Sequence, residues 1–164
     1  MSFTVVITTY NRQHCVVNAV KSALAIKGCE EVIVVDDASF DDTLIILNRE
    51  FSCAIDAARL ILVSNSNNLG VTGAKNVGYS MARCEWVIFL DSDDWFVENI
   101  DRQILAEFNL YSNAPIIFFR CTDQNGKFVG VRFEQSQLID LPTYLQNTSF
   151  GEALTAINKK LVQN

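Results

Sequence analysis

Four short runs of mostly aliphatic and β-branched residues, at 3–9, 31–36, 59–64 and 86–90, alternate with segments whose apolar residues recur at helical spacing. Runs this short and this continuously apolar are what strands need when helices cover both faces of their sheet. Between them, Val16, Val20, Ala23 and Leu24 form one helical stripe and Leu44, Leu47, Phe51 and Ile55 a second. Val77 and Met81 give a weaker third, and Ile100, Ile104, Leu105, Phe108 and Tyr111 follow the last run as a fourth. Strand–helix alternation of this kind predicts an α/β fold: a mostly parallel sheet with right-handed crossovers and helices on both faces.

Ligands of such sheets gather beyond the carboxyl ends of the strands. Those ends are where this chain turns polar: Thr8, Thr9, Tyr10, Asn11 and Arg12 after the first run; Asp36, Asp37, Ala38 and Ser39 after the second; Ser64 to Asn68 after the third; Asp91, Ser92, Asp93 and Asp94 after the fourth. Ser39 is expected to cap the second helix, with Asp41 and Asp42 set against its N-terminal dipole. Beyond Asn113 the pattern changes. Residues 115–120 read as a strand, Gln124 to Lys127 as a hairpin turn and 128–133 as its return strand. From Pro142 onward the chain reads as helical, with Phe150, Leu154, Ile157 and Leu161 as its apolar stripe. No repeat, linker or low-complexity stretch divides the 164 residues, so a single domain is expected, a small C-terminal hairpin and helical part completing it.

Thirteen basic against nineteen acidic side chains leave a formal charge of -6, which argues against general affinity for nucleic acid or an anionic membrane. The five cysteines form no CxxC pair and are odd in number, which favours reduced thiols and a cytoplasmic location over a disulfide framework or a zinc site. The start of the chain has no signal-peptide pattern, and no apolar run approaches the ~20 residues of a membrane helix.

The acidic turn Asp91, Ser92, Asp93, Asp94 follows the apolar run Trp86 to Leu90, so its carboxylates emerge together at the mouth of a buried strand. Mn²⁺ and Mg²⁺ are hard cations, commonly held by one or two carboxylates plus the phosphate oxygens of a substrate. A lone acidic turn is more often a helix cap. Asp36 and Asp37 are either helix-capping acids or acceptors for a nucleobase N–H or ribose hydroxyls. Thr8 and Tyr10 can wall a flat base, the ring stacking on it, and Asn11 otherwise serves as a cap. In the stretch Asn68 to Asn76, Gly70 and Gly73 permit close backbone approach, and a helix N-terminus near Thr72 offers N–H groups to an anion. Lys75 then falls in the first turn, where the helix dipole disfavours a cation, and this points to a ligand. The stretch is neither a P-loop nor a GxGxxG fingerprint. His14, the only histidine, reads as a surface or capping residue, and Trp95 either lines an acceptor site or wedges the acidic turn.

With these pieces in order, residues 3 to about 100 resemble the family-2 glycosyltransferases of the GT-A fold, inverting enzymes that use nucleotide sugars. The matching segments are Val5-Val-Ile-Thr-Thr-Tyr-Asn-Arg12, Val34-Val-Asp-Asp-Ala-Ser39 with Asp42-Thr43, Asn68-Leu-Gly70 through Gly73-Ala-Lys-Asn76, and Trp86 through Asp94. The resemblance implies that Thr8, Tyr10 and Asp37 hold the base, usually uracil, and that Lys75 lies near the nucleotide at a position usually held by arginine. It implies that Asp91 touches ribose or the water shell of a metal, and that Asp93 ligates Mn²⁺ or Mg²⁺ bridging the diphosphate. Asn11, Arg12, Asn68, Gly70 and Ser92 join the nucleotide-sugar site on the same grounds. The implied donor is a UDP-sugar and the implied acceptor a saccharide or lipid-linked hydroxyl. Residues 1–113 would form the nucleotide-sugar-binding half and 114–164 the start of the acceptor half.

The chain departs from the family at one point. Members carry a catalytic acid well beyond the acidic turn, usually in an E-D pair, and this sequence has no E-D dipeptide. A missing general base removes ~10²–10⁴ in rate, so a fragment or subunit that binds donor without turnover is the alternative to a transferase. In a fragment, part of the terminal apolar stripe would be exposed, and a homo-oligomer would hide it. A phospho-acceptor receiver would need its acid pair after the first strand, and a nucleotidyltransferase a glycine-rich loop there. This chain has neither.

Overall fold

The computed structural model describes residues 1–129 and 153–162. In chain order the elements are β1 (Phe3–Thr9), α1 (Val16–Ala25), β2 (Cys29–Asp36), α2 (Thr43–Glu50), α3 (Ser52–Asp56), β3 (Leu60–Ser64), α4 (Gly70–Met81), β4 (Trp86–Asp91), α5 (Asp101–Leu110), β5 (Ile116–Thr122), β6 (Phe128–Val129), β7 (Ala153–Asn158) and α6 (Lys159–Val162). The described strands form one sheet in the order β3-β2-β1-β4-β7-β5-β6. Pairing is parallel from β3 through β2 and β1 to β4, and antiparallel where β7 joins β4 and β5.

Alternate residues of the parallel strands feed two cores. Val5, Ile7, Val32 and Val34 face Val16, Ala19, Val20 and Ala23 of α1, with Leu47 of α2 and Ile104 and Phe108 of α5. Val6, Ile33, Val35 and Val87 face α4 through Ala74. Each such side chain, fully buried, contributes about 1.5–3 kcal/mol, so the two-sided covering of these strands is the main stabilising term. Close approach of α4 depends on Gly78, where a Cβ would lie 2.3 Å from Val6 Cγ1 and 3.2 Å from Val35 Cγ2.

The C-terminal part departs from expectation. Residues 153–158 are a strand, and only Lys159–Val162 is helical. Leu154 and Ile157, three apart, would share a helix face but point to opposite sides of the sheet here. The open edge of β4 decides the outcome: β7 enters between β4 and β5 and pairs with both, with Ala156 opposite Ile88 and Ile117. Lys159 then donates from Nζ to the carbonyls of Tyr79 (3.0 Å) and Ala82 (2.7 Å), capping the end of α4. The hairpin turn stands as read, with Asp123 Oδ1 accepting from the backbone N–H groups of Asn125 and Lys127. Its return strand is described only at Phe128–Val129. The expected strand at 130–133 and the expected helix at 142–152, Phe150 included, lie outside the described residues. The described part of the hairpin extends the main sheet through β5 and β6.

Candidate functional site

The strand order carries a switch point. The chain leaves β1 through α1 toward β2 on one side, and reaches β4 on the other side through α4, on the opposite face of the sheet. A crevice at the carboxyl ends of β1 and β4 follows from that topology. Thr8 and Asp91 are register partners at this point, and Thr9 pairs with Asp36 on the other side.

Two loops are stitched together at the rim. Asn11 N–H donates to Ser39 Oγ (2.8 Å), and Phe40 N–H donates to Asn11 Oδ1 (2.9 Å). Gln13 N–H donates to Asp41 Oδ2 (3.2 Å), Asp42 N–H to Gln13 Oε1 (2.9 Å) and Arg12 N–H to Thr43 Oγ1 (3.3 Å). Asn11 (φ 53°) and Ala38 (φ 64°) occupy the left-handed region that costs a non-glycine residue about 1 kcal/mol or more. Cross-loop bonds at about 1 kcal/mol each offset that cost. Ser39 therefore does not cap α2. Asp41 accepts from both the N–H and the hydroxyl of Thr43 and fills that role, because Ser39 is committed to the neighbouring loop. Asn11 likewise caps nothing in α1, which begins at Val16.

Burial pushes the Asp41 carboxyl up, but hydrogen bonds from the Thr43 hydroxyl, Thr43 N–H and Gln13 N–H, with the charge of His14, hold it below the usual carboxylate range. This brace leaves Tyr10 and Phe40 at the surface with ring centroids 6.1 Å apart and planes at 83°, Phe40 being 83% exposed. Phe40 and the cross-loop bonds of Gln13 were not legible in the sequence. An isolated aromatic inside a polar loop was the one available signal.

Asp37 is buried, and its carboxylate organises the third loop. Oδ1 accepts from Asn65 Nδ2 (2.8 Å) and Leu69 N–H (2.9 Å), and Oδ2 accepts from Gly70 N–H (2.8 Å). Asn68 Oδ1 also accepts from Gly70 N–H (3.0 Å), and Gly70 takes φ 74°. These acceptors start α4 at Gly70 rather than near Thr72, so Lys75 stands in the second turn, not the first. There its ammonium reaches Asp91 Oδ1 at 3.1 Å and lies 5.9 Å from the Phe89 ring centroid. The cation is explained by a carboxylate on the neighbouring strand end, away from the helix dipole.

The acidic turn closes with Asp94 N–H donating to Asp91 O (3.1 Å), and Ser92 is buried beneath it. Arg12 reaches across from the first loop to Asp93, with Nη1 to Oδ2 at 3.8 Å. The Asp91 and Asp93 side chains nevertheless remain 58% and 54% exposed. Thr8, Tyr10, Asn11, Arg12, Asp37, Asn68, Gly70, Lys75, Asp91, Ser92 and Asp93 therefore lie at four neighbouring strand ends, in the loops that follow them or in the first two turns of α4. They are linked through the Arg12–Asp93, Lys75–Asp91 and Asp37–Gly70 contacts. Among the described residues no group of three or more His, Cys, Asp or Glu converges as a metal cage. Two exposed carboxylates on one turn fit a hard cation that completes its shell with phosphate oxygens of a ligand.

Residues 4–155 match the model of a family described as "Glycosyl transferase family 2". Over 92 residues, 56% of this chain and 25% of its relative, the sequence is 41% identical to the succinoglycan biosynthesis protein ExoO of Rhizobium meliloti. Over 103 residues, 61% of this chain and 39% of the relative, it is 36% identical to WfaP of Escherichia coli, a UDP-Glc:alpha-D-GlcNAc-diphosphoundecaprenol beta-1,3-glucosyltransferase. The fold is similar to that of residues 1–349 of S. aureus TarS, solved in complex with UDP, with a TM-score of 0.78 and 24% identity over 99% of this chain and 48% of that one. The matched stretch thus covers less than half the length of each of these proteins. The family match runs through all four strand ends that build the crevice, and the chain belongs to glycosyl transferase family 2.

Proposed function

We propose that the chain is the nucleotide-sugar-binding part of a glycosyltransferase that moves a sugar from a UDP-sugar to the hydroxyl of a lipid-diphosphate-linked saccharide, with inversion and with help from Mn²⁺ or Mg²⁺. The observation that carries this reading is the meeting of Thr8, Asp91, Asp93, Arg12 and Lys75 at the switch point between β1 and β4. The UDP-glucose and diphosphoundecaprenol named for the Escherichia coli relative, and the UDP bound by the S. aureus neighbour, support the donor and acceptor classes.

Each residue has a task that its position supports. The Tyr10 ring walls the base, braced edge-on by Phe40. Thr8 and Asp37 supply polar contacts to base or ribose. Three of the roughly four acceptor positions of the Asp37 carboxylate hold Asn65, Leu69 and Gly70, which leaves one on Oδ2. Asp91 and Asp93 would hold the metal, which when bound offsets the negative charge developing on the departing diphosphate. Arg12 and Lys75 bring positive charge to the same corner, where it serves the diphosphate as well as the two carboxylates. Asn11, Asn68 and Gly70 fix the loops that carry these groups, and Ser92 is buried in the acidic turn.

UDP with Mn²⁺ is expected to raise the melting temperature, and Asp93→Ala to abolish the rise. A chain whose melting is indifferent to every nucleoside diphosphate with metal would sink the proposal. Turnover is read separately, as UDP release in the presence of a lipid-diphosphate saccharide.

A further inference from the structure

A groove of about 410 Å³ lies between Asn18, Lys21 and Ser22 of α1 and the side chain of Trp95. Trp95 directly follows the acidic turn, so the groove adjoins the segment that carries Asp91 and Asp93. Trp95 is 55% exposed although the backbone on both sides of it is fixed. On one side Asp94 N–H closes the turn on Asp91 O. On the other Phe96 N–H donates to Ser22 Oγ (3.1 Å), while the Phe96 side chain packs on the α1 core. Ser22 Oγ is itself anchored by donating to Ala19 O (2.8 Å). The backbone that carries the ring is thus fixed on both sides.

Asn18 and Lys21 are three residues apart and share the exposed face of α1. Lys21 forms no ion pair among the described residues, whereas Arg12 and Lys75 are both spent on the acidic turn. One wall of the groove is therefore a flat aromatic ring, and the other carries an amide and an uncommitted ammonium. That chemistry suits a pyranose, whose C–H face packs on an aromatic ring while its hydroxyls need hydrogen-bonding partners, and it suits an anion next to the sugar.

We propose that this groove is a subsite for the acceptor and that it takes a glycosyl phosphate, with the sugar ring on Trp95, the Asn18 amide on its hydroxyls and the Lys21 ammonium on its phosphate. The inference rests on the glycosyltransferase reading and adds to it the side from which the acceptor meets the donor.

The chain has two tryptophans, and Trp86 is buried, so the indole N–H resonance of Trp86 serves as an internal control for that of Trp95, with Trp95→Phe giving the assignment. N-acetylglucosamine 1-phosphate is expected to shift the Trp95 resonance saturably while that of Trp86 stays still. Free N-acetylglucosamine should act about tenfold more weakly, and Lys21→Glu should weaken the sugar phosphate about tenfold without changing the response to the free sugar. Inorganic phosphate alone should leave Trp95 in place. The subsite is overturned by a Trp95 resonance that does not move, by a Lys21→Glu chain that responds as the parent does, or by inorganic phosphate reproducing the full shift. The melting response of the parent chain to UDP with Mn²⁺ separates the two claims. If it is present while Trp95 is silent, only the acceptor subsite fails; if it is missing, the glycosyltransferase reading fails first.

Discussion

At the amino end of the parallel strands, Glu31 is 1% exposed and its carboxylate accepts from the Thr4 hydroxyl (2.8 Å), from Arg83 N–H (2.7 Å) and from Arg83 Nε (2.7 Å). At the carboxyl end, Asp91 and Asp93 also face cations, but at 3.1 and 3.8 Å and with more than half of each side chain in water. The same pairing of acid and base does different work at the two ends. A buried carboxylate bonded through both oxygens locks the entry of β4 against β1 and β2. Exposed, loosely held carboxylates add little stability, about 0–1 kcal/mol each, and can change partners when a ligand arrives. Asp37 combines both kinds: it is buried and bonded like Glu31, yet it sits among the site loops and shapes the start of α4.

Substitutions can break this contrast. The largest effect on stability is expected from Glu31→Ala, which orphans the Thr4 hydroxyl and the Arg83 N–H. It should lower the unfolding free energy by about 3 kcal/mol in urea titrations while the UDP-induced rise in melting temperature survives. Loss of that rise in a folded Glu31→Ala chain would show that the two ends are not separate.

Asp37→Ala is expected next, at about 1–2 kcal/mol, because Leu69 and Gly70 lose a capping acceptor. Here the ligand response should fall as well, since α4 and with it Lys75 lose their fixed start. Asp93→Ala sharpens the comparison from the other side, with stability within about 0.5 kcal/mol of the parent chain but no response to UDP and Mn²⁺.

The smallest effect concerns pH. The hydrogen bonds of Asp41 hold its folded pKa below the ordinary value, so its contribution to stability is present above the unfolded pKa and fades as pH falls through the folded one. Asp41→Asn should flatten the acid limb by lowering stability at neutral pH, and should leave stability nearly unchanged well below about pH 4, where the parent carboxyl is protonated as well. An unaltered acid limb would mean that the brace between the first two loops does not depend on that charge.

The parallel half of the molecule was legible because its signals are local and redundant. Each of β1 to β4 is an apolar run closed by polar residues, and helices must cover it on either face. The polar strand ends were legible for the same reason, and Thr8, Asp37, Lys75, Asp91 and Asp93 all stand where those ends meet. The antiparallel part was not. Leu154, Ile157 and Leu161 fit a helical period, but the open edge of β4 offered backbone partners that no local pattern announces, and Ala153–Asn158 became a strand. Ser39 has the local pattern of a helix cap, but the Asn11 N–H that claims its hydroxyl lies 28 positions away.

Taken alone, the order of residues determined the α/β alternation, the faces that must be buried and the end of the sheet where polar groups collect. These follow from side-chain chemistry read over a few neighbouring positions. Only the folded chain decided that Lys75 serves Asp91, that Arg12 reaches Asp93, that Asp37 starts α4 and that β7 fills the gap beside β4. Each of these joins segments far apart in the chain, and such pairings are set by which surfaces packing brings together.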